Sequence, residues 1–321
     1  MNGSTALNGA TVWSLSDDKA GNRRQADALA HALGQPFRGW PLRPQAPWQW
    51  LAPRRWPGAE RAFGEAFTQA LADPPRLAIG CGRQAALATR LLRERGARAV
   101  QILDPRIATD HWDLVIAPEH DRLDGDNVIT LLGSLHPVDD LWLASARSQF
   151  AGFSALPGPR TALLLGGPSA HARFDDALYE RVLAQVESLV REEGGSLLAT
   201  ASRRTPAALR QSLRARMSTV PGVIWSGEED GANPYEGVLG WADRIVCTAD
   251  SVNMVSEAAA TWAPVFVAGL ERIDGRPRRF LDTLRKRGRI RELDATADAY
   301  PVMPLRETTR VAAQVQARLR V

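Results

Sequence analysis

The chain has 321 residues, 45% of them apolar and 24% charged, with a net charge of +4; at roughly 150 residues per domain this is two ordinary globular domains. Only two cysteines occur, Cys81 and Cys247, which excludes a disulfide framework and points to a reducing, cytoplasmic setting. No apolar run reaches the roughly 18 residues of a spanning helix, the amino terminus MNGSTALNGATVW spells no export signal, and the Arg-dominated charge carries no nucleic-acid motif.

In chain order, residues 11–15 read as a strand, followed by a polar loop over 16–24 and a helix to Leu33. Residues 35–57 break the pattern. Trp40, Trp48, Trp50 and Trp56 lie there among prolines and arginines, and the stretch reads as an irregular excursion. A helix closes at Leu71. Strands follow at 76–80, 99–103, 114–117 and 128–131, with a helix from Gly82 to about Arg93 and another from about Val138. Residues 151–160, AGFSALPGPR, have no periodicity and read as the linker between domains 1–150 and 151–304.

The second half repeats the theme, with strands at 161–165, 196–200, 223–225, 244–248 and 265–268. Helices lie between them, the longest over 174–193, and an amphipathic helix over 305–321 ends the chain. Strand–helix alternation in both halves predicts two Rossmann-like α/β domains with parallel sheets and a ligand cleft between them.

Polar residues gather at the predicted strand ends of the second half. Gly166-Gly167-Pro168-Ser169 follows one strand. Paired glycines before a helix permit close backbone approach to an anion, although no Walker loop or GxGxxG is spelled. Ser202-Arg203-Arg204-Thr205-Pro206 follows the next, with Thr205 the expected N-cap and Pro206 the first helical residue. Two cations beside a helix N-terminus are unfavourable without an anion, so Arg203 and Arg204 suit a phosphate or diphosphate; a solvated basic turn is the alternative.

Asn233 is the expected cap of the helix that begins near Tyr235. Asp250, Ser251, Ser256 and Glu257 crowd the corner between strand 244–248 and the helix over 252–261. Glu257 could accept hydrogen bonds from ribose hydroxyls, or serve only as a helix-terminal charge. Together these corners describe a nucleotide-diphosphate site.

In the first half, Asp17, Lys19 and Asn22 follow the first strand, and Lys19 stands out because Lys286 is the only other lysine. Gly80-Cys81-Gly82-Arg83-Gln84 is a second, glycine-flanked turn. Asp104-Pro105-Arg106 and Pro118-Glu119-His120-Asp121 are further polar strand ends. His120 between two carboxylates could act as a general base. A hydrogen-bonded surface turn is the alternative for each. The histidines lack metal-ligand spacing, so neither metal nor cofactor is expected.

With Trp13-Ser14-Leu15, Lys19-Ala20-Gly21-Asn22, Gln25, Asp104-Pro105-Arg106, Pro118-Glu119-His120-Asp121, Gly125, Asn127-Val128, Gly166-Gly167-Pro168, Ser202-Arg203-Arg204-Thr205-Pro206, Asn233-Pro234-Tyr235, Thr248-Ala249-Asp250-Ser251 and Met254 to Glu257, the chain resembles bacterial members of the "elongated mitochondria" mitochondrial-fission family. The resemblance implies the GT-B class: two facing Rossmann-like domains, with the nucleotide-sugar donor on the second and the final helix returning to the first. Near Ser256-Glu257 the sequence is similar to the lipid-linked transferase that adds GlcNAc in peptidoglycan synthesis, which implies a ribose contact for Glu257.

The leading expectation is a metal-independent glycosyltransferase using a nucleotide-diphosphate sugar. Its acceptor would be a lipid-linked or cell-envelope glycan at the inner-membrane surface. Asp17 or His120 would be the base, with Lys19, Asn22, Arg106 and Asp121 on the acceptor side. A nucleotide-sugar epimerase or hydrolase is the second reading. The third is a non-catalytic adaptor whose Trp/Arg/Pro excursion lies on a membrane surface, against a plainer reading in which its tryptophans pack on their own domain.

Overall fold

The computed structural model describes residues 11–320. Most of the segment read for an export signal, and Val321 of the final helix, lie outside the described residues. The chain falls into two compact units, one built from residues up to Pro137 and from Glu307 onward, the other from Val138–Arg306.

The first unit contains β1 (Val12–Ser16), α1 (Ala20–Ala32), β2 (Phe37–Pro41), α2 (Trp48–Leu51), α3 (Glu65–Ala70), β3 (Leu77–Cys81), α4 (Arg83–Arg93), β4 (Arg98–Ile102), β5 (Leu114–Pro118) and β6 (Val128–Leu131). Its six strands are all parallel, in the order β2-β1-β3-β4-β5-β6. Every residue of β1, β3 and β5 is buried. Strands covered by helices on both faces read as continuous apolar runs, which is why these were legible.

Two details differ from expectation. Helix α1 starts at Ala20 with Lys19 as its N-cap, so Asn22 lies in the first turn and not in a loop over 16–24. The 35–57 excursion contains β2, which pairs with β1 at the sheet edge. Gly39 and Pro41 hide the strand pattern, and an edge position tolerates Pro. Trp40 and Trp48 pack against the cluster holding Trp13 and Phe67, with Trp13 and Trp40 rings 5.1 Å apart. Trp50 and Trp56 remain 67% and 53% exposed.

The second unit contains α5 (Asp140–Gln149), β7 (Arg160–Leu165), α6 (Asp176–Glu192), β8 (Ser196–Ala201), α7 (Ala207–Met217), β9 (Gly222–Trp225), α8 (Tyr235–Trp241), β10 (Arg244–Thr248), α9 (Val252–Ala259), β11 (Val265–Ala268), α10 (Gly275–Lys286) and β12 (Ile290–Glu292). The parallel sheet has the order β12-β11-β10-β7-β8-β9. Read from the β9 edge, the strands occur as third, second, first, fourth, fifth and sixth, the order of a doubly wound dinucleotide-type sheet. The chain then returns through α11 (Thr308–Leu319) to the first unit, where the Thr308 hydroxyl donates to the His136 carbonyl (2.7 Å).

The boundary falls before α5, so residues 151–160 lie inside the second unit and are not the connection between units. Glycines on α8 explain why. A Cβ at Gly237 would come within 2.4 Å of the Phe150 ring, and one at Gly240 within 3.2 Å of Ala146, so α5 and α8 pack face to face. Asp140 at the head of α5 also accepts from both Nη atoms of Arg306 (2.7 and 2.8 Å) and from the Trp262 indole N–H (2.8 Å). Gly237→Ala is expected to destabilise the fold by about 2 kcal/mol, the usual cost of overpacking. Thermal melting against Gly152→Ala, where a Cβ meets open space, checks it.

Among the described residues no helix is long and apolar enough to cross a membrane.

Candidate functional site

In the second unit the chain leaves β7 toward β8 and β9, then crosses to the other side of β7 for β10. The carboxyl ends of β7 and β10 therefore frame a topological switch point, where open α/β sheets bind ligands. Gly166-Gly167 leaves β7, Asp250-Ser251 leaves β10 into α9, and Ser202-Arg203-Arg204 leaves β8 beside them. Sequence spacing alone could not show that these loops are neighbours; the strand order does.

One carboxylate ties the corner together. Asp250 Oδ1 accepts from the Thr248 hydroxyl (2.7 Å), and Oδ2 accepts from the Gly167 N–H (3.0 Å) and from Arg204 Nη2 (2.6 Å). Thr248 Oγ1 accepts from the Gly166 N–H (2.7 Å). Arg204 Nη1 donates to the Gly167 carbonyl (2.8 Å), and the Thr205 hydroxyl donates to the Gly166 carbonyl (2.7 Å). The Asp250 side chain is fully buried, whereas that of Arg204 is 44% exposed.

This arrangement revises several expectations. The Gly166 and Gly167 N–H groups are spent inside the protein and do not form an open anion cradle. Both glycines are there for closeness: a Cβ at Gly166 would lie 2.0 Å from Asp250 Oδ1, and one at Gly167 2.2 Å from the Arg204 carbonyl oxygen. Asp250 faces inward and joins the ends of β7, β8 and β10. Thr205 ties loops together, and Pro206 is the N-cap of α7, one residue later than expected. Ser169 closes a small turn, its hydroxyl accepting from the His171 N–H (3.4 Å). Arg203 is exposed and makes no side-chain hydrogen bond or ion pair among the described residues.

Ser251 caps α9, accepting from the Met254 N–H (3.4 Å). Residues 251–254 are half-buried at the crevice. Ser256 is buried and its hydroxyl donates back to the Val252 carbonyl (2.7 Å), the habit of serine inside a helix. Glu257, the next residue, is 2% exposed, and its Oε2 accepts from the Tyr235 hydroxyl (2.5 Å). Asn233 Oδ1 accepts from the Tyr235 N–H (3.0 Å), fixing the tyrosine that reaches Glu257, but the N-cap of α8 is Pro234, one residue later than expected. Tyr235 itself was missed as a site residue.

The first unit has its own switch point, between β1 and β3. Asp17 Oδ1 accepts from the Asn22 amide (2.8 Å) and the Lys19 N–H (3.2 Å), and Lys19 Nζ lies 3.4 Å from Oδ2. Gly82 at the end of β3 has φ +87°, and a Cβ there would meet the Asn22 amide at 2.5 Å, so glycine is needed for the pair to close. Burial pushes the neighbouring Cys81 thiol well up, with the Asp17 carboxylate adding to it.

His120 and Asp121 follow β5, three strand spacings from β1, or about 14 Å at the usual separation. Asp17 and His120 therefore leave strands that are not neighbours. Arg106 is held by Asp104, through its N–H (2.8 Å) and its Nε (3.2 Å). Among the described residues, no three His, Cys, Asp or Glu side chains gather as a metal set.

A profile of the "Mitochondrial fission ELM1" family matches residues 20–319. The chain belongs to this family. A mitochondrial fission protein ELM1 of Arabidopsis thaliana is 31% identical over 280 residues, 77% of this chain and 64% of that protein, so the chain spans less than two thirds of its length. An uncharacterised protein of Rickettsia prowazekii is 23% identical over 97% of this chain and 99% of its own. A UDP-GlcNAc 2-epimerase from Methanocaldococcus jannaschii shares the fold, with a TM-score of 0.52 at 11% identity over 95% of this chain and 99% of that one. The fold of this family member is thus GT-B-like, with two Rossmann-like units, each holding a parallel six-stranded sheet.

Proposed function

We propose that the β7–β10 switch point holds the diphosphate of a nucleotide sugar and that the protein transfers this sugar to an acceptor. The observation that carries the reading is the doubly wound strand order, which sets the head of α9 and the exposed, unpaired Arg203 beside one crevice. As the bond from the sugar C1 to the diphosphate breaks, negative charge grows on the leaving group. Arg203, the outer edge of Arg204 and the first-turn amides of α9 would stabilise it, supplying the charge that a metal supplies elsewhere. Glu257 would meet the ribose. Asp17 or His120 would take the acceptor proton, with Lys19, Asn22, Arg106 and Asp121 binding the acceptor, a lipid-linked or cell-envelope glycan.

Titration calorimetry with UDP-, GDP- and ADP-sugars tests the donor half. Arg203→Ala is expected to weaken binding tenfold or more, about the worth of one charge-assisted hydrogen bond. Its melting temperature should not change, since Arg203 holds nothing else. If no sugar nucleotide in the panel binds the wild type, the reading is wrong. Release of free sugar without acceptor would favour the hydrolase or epimerase reading instead.

A further inference from the structure

A second cationic site lies on the first unit, down α4 from the Gly82 end. An open surface pocket of about 420 Å³ is lined by Arg54, Arg55, Trp56, Arg90, Ile107 and His111. Arg55 is already held by Glu60 (3.0 Å) and Glu94 (3.2 Å). Arg90 has no carboxylate partner among the described residues, and its Nη1 donates to the Pro53 carbonyl (2.6 Å). Burial lowers its pKa, and the nearby Arg55 cation adds to that despite Glu94. Arg54 makes no side-chain hydrogen bond or ion pair among the described residues. Glu94 and Asp110 lie near enough to act on Arg90 without an ion pair to it, so the guanidinium groups of Arg54 and Arg90 keep donors unspent on carboxylates, and guanidinium geometry matches a phosphate bidentately.

The rim is apolar. Trp56 lines the pocket at 53% exposure, and Trp50, six residues earlier, is 67% exposed. Both belong to a segment whose backbone is fastened along α4: Arg83 donates to the carbonyls of Gln49 (2.8 Å) and Trp50 (3.3 Å), Arg90 to that of Pro53. Arg83 and Arg90 are two helical turns apart, about 10 Å, so residues 49–53 are pinned at both ends, with Trp50 inside that stretch and Trp56 three residues past it. Indoles in water beside unpaired arginines are the chemistry of a bilayer headgroup zone. A freely diffusing phosphate would use the cations but leave Trp50 unexplained.

We propose that this face docks on an anionic phospholipid surface, a lipid phosphate entering the Arg54–Arg90 pocket while Trp56 and Trp50 seat at headgroup level. The proposal is independent of the sugar-nucleotide reading.

Co-sedimentation of the full chain with vesicles tests it. Binding is expected to equimolar phosphatidylcholine–phosphatidylglycerol vesicles and not to phosphatidylcholine alone, and to fall with added salt. Arg54→Ala/Arg90→Ala should weaken binding about thirtyfold, the product of two headgroup-zone cations. Arg90 also holds Pro53, so Arg54→Glu alone is the fold-neutral variant and should lose about tenfold or more. Trp56→Ala should release the chain at lower salt. Equal binding to both vesicle types, or wild-type binding by Arg54→Glu, overturns the proposal. So does tight binding of glycerol 1-phosphate by a chain that ignores vesicles, which would make the pocket a site for a free phosphate ester.

Discussion

Asp250→Ala is expected to lower the melting temperature by on the order of 10 °C, corresponding to about 3 kcal/mol in a unit of this size. The loss has two parts. The Gly167 N–H and the Thr248 hydroxyl each lose a buried acceptor, at 3.0 and 2.7 Å, and an orphaned buried donor costs about 1–3 kcal/mol. Loss of the Arg204 ion pair adds less than its 2.6 Å length suggests, because that side chain is 44% exposed and water takes it up. Asp250→Asn, which keeps shape and one acceptor, should recover about half of the stability. A ligand-facing Asp250 would behave in the opposite way, with an unchanged melt and lost nucleotide binding. Circular dichroism melts and calorimetry on the same two variants separate the outcomes.

That contrast marks what the residue string could and could not convey. The strands of both sheets were legible wherever they are buried on both faces, because β3 and β5 are unbroken apolar runs and β1 and β10 are mostly apolar or β-branched between polar turns. The strands missed are at the edges. β2 is half-exposed and carries Gly39 and Pro41, and β12 is three residues long with two exposed. The polar character of the loops at the strand ends was legible too, since polar and glycine residues there interrupt an apolar pattern.

Orientation was not legible. Gly166-Gly167 looks the same whether its amides point to a phosphate or into the protein; only their hydrogen bonds to Thr248 (2.7 Å) and Asp250 (3.0 Å) decide. Ser256 and Glu257 share a helix, and burial depends on which face of α9 meets the sheet. The Tyr235–Glu257 bond joins residues 22 apart through a helix, a strand and a loop, and no local spacing encodes it. Arg203 and Arg204 are adjacent, yet one is spent inside the corner and the other is not.

Glu257 separates a structural from a ligand role most sharply. Its side chain is 2% exposed and takes the Tyr235 hydroxyl at 2.5 Å, so Glu257→Ala removes packing and strands a phenol, at a cost of about 2–3 kcal/mol. Lost nucleotide affinity in that variant would therefore not identify a ligand contact. Glu257→Gln keeps the volume and an oxygen for Tyr235 and removes only the charge. Its melting temperature is expected to stay within a few degrees of wild type. Its affinity for the nucleoside diphosphate should nevertheless fall about tenfold, because ribose hydroxyls donate more strongly to a carboxylate than to an amide oxygen. Tyr235→Phe should do the reverse, losing about 1 kcal/mol of stability while moving affinity less than Glu257→Gln does. If Glu257→Gln binds nucleotide as tightly as the wild type, the Tyr235–Glu257 pair is core chemistry. The donor would then rest on Arg203 and the half-buried head of α9 alone, and the ribose would have to be sought along residues 251–254.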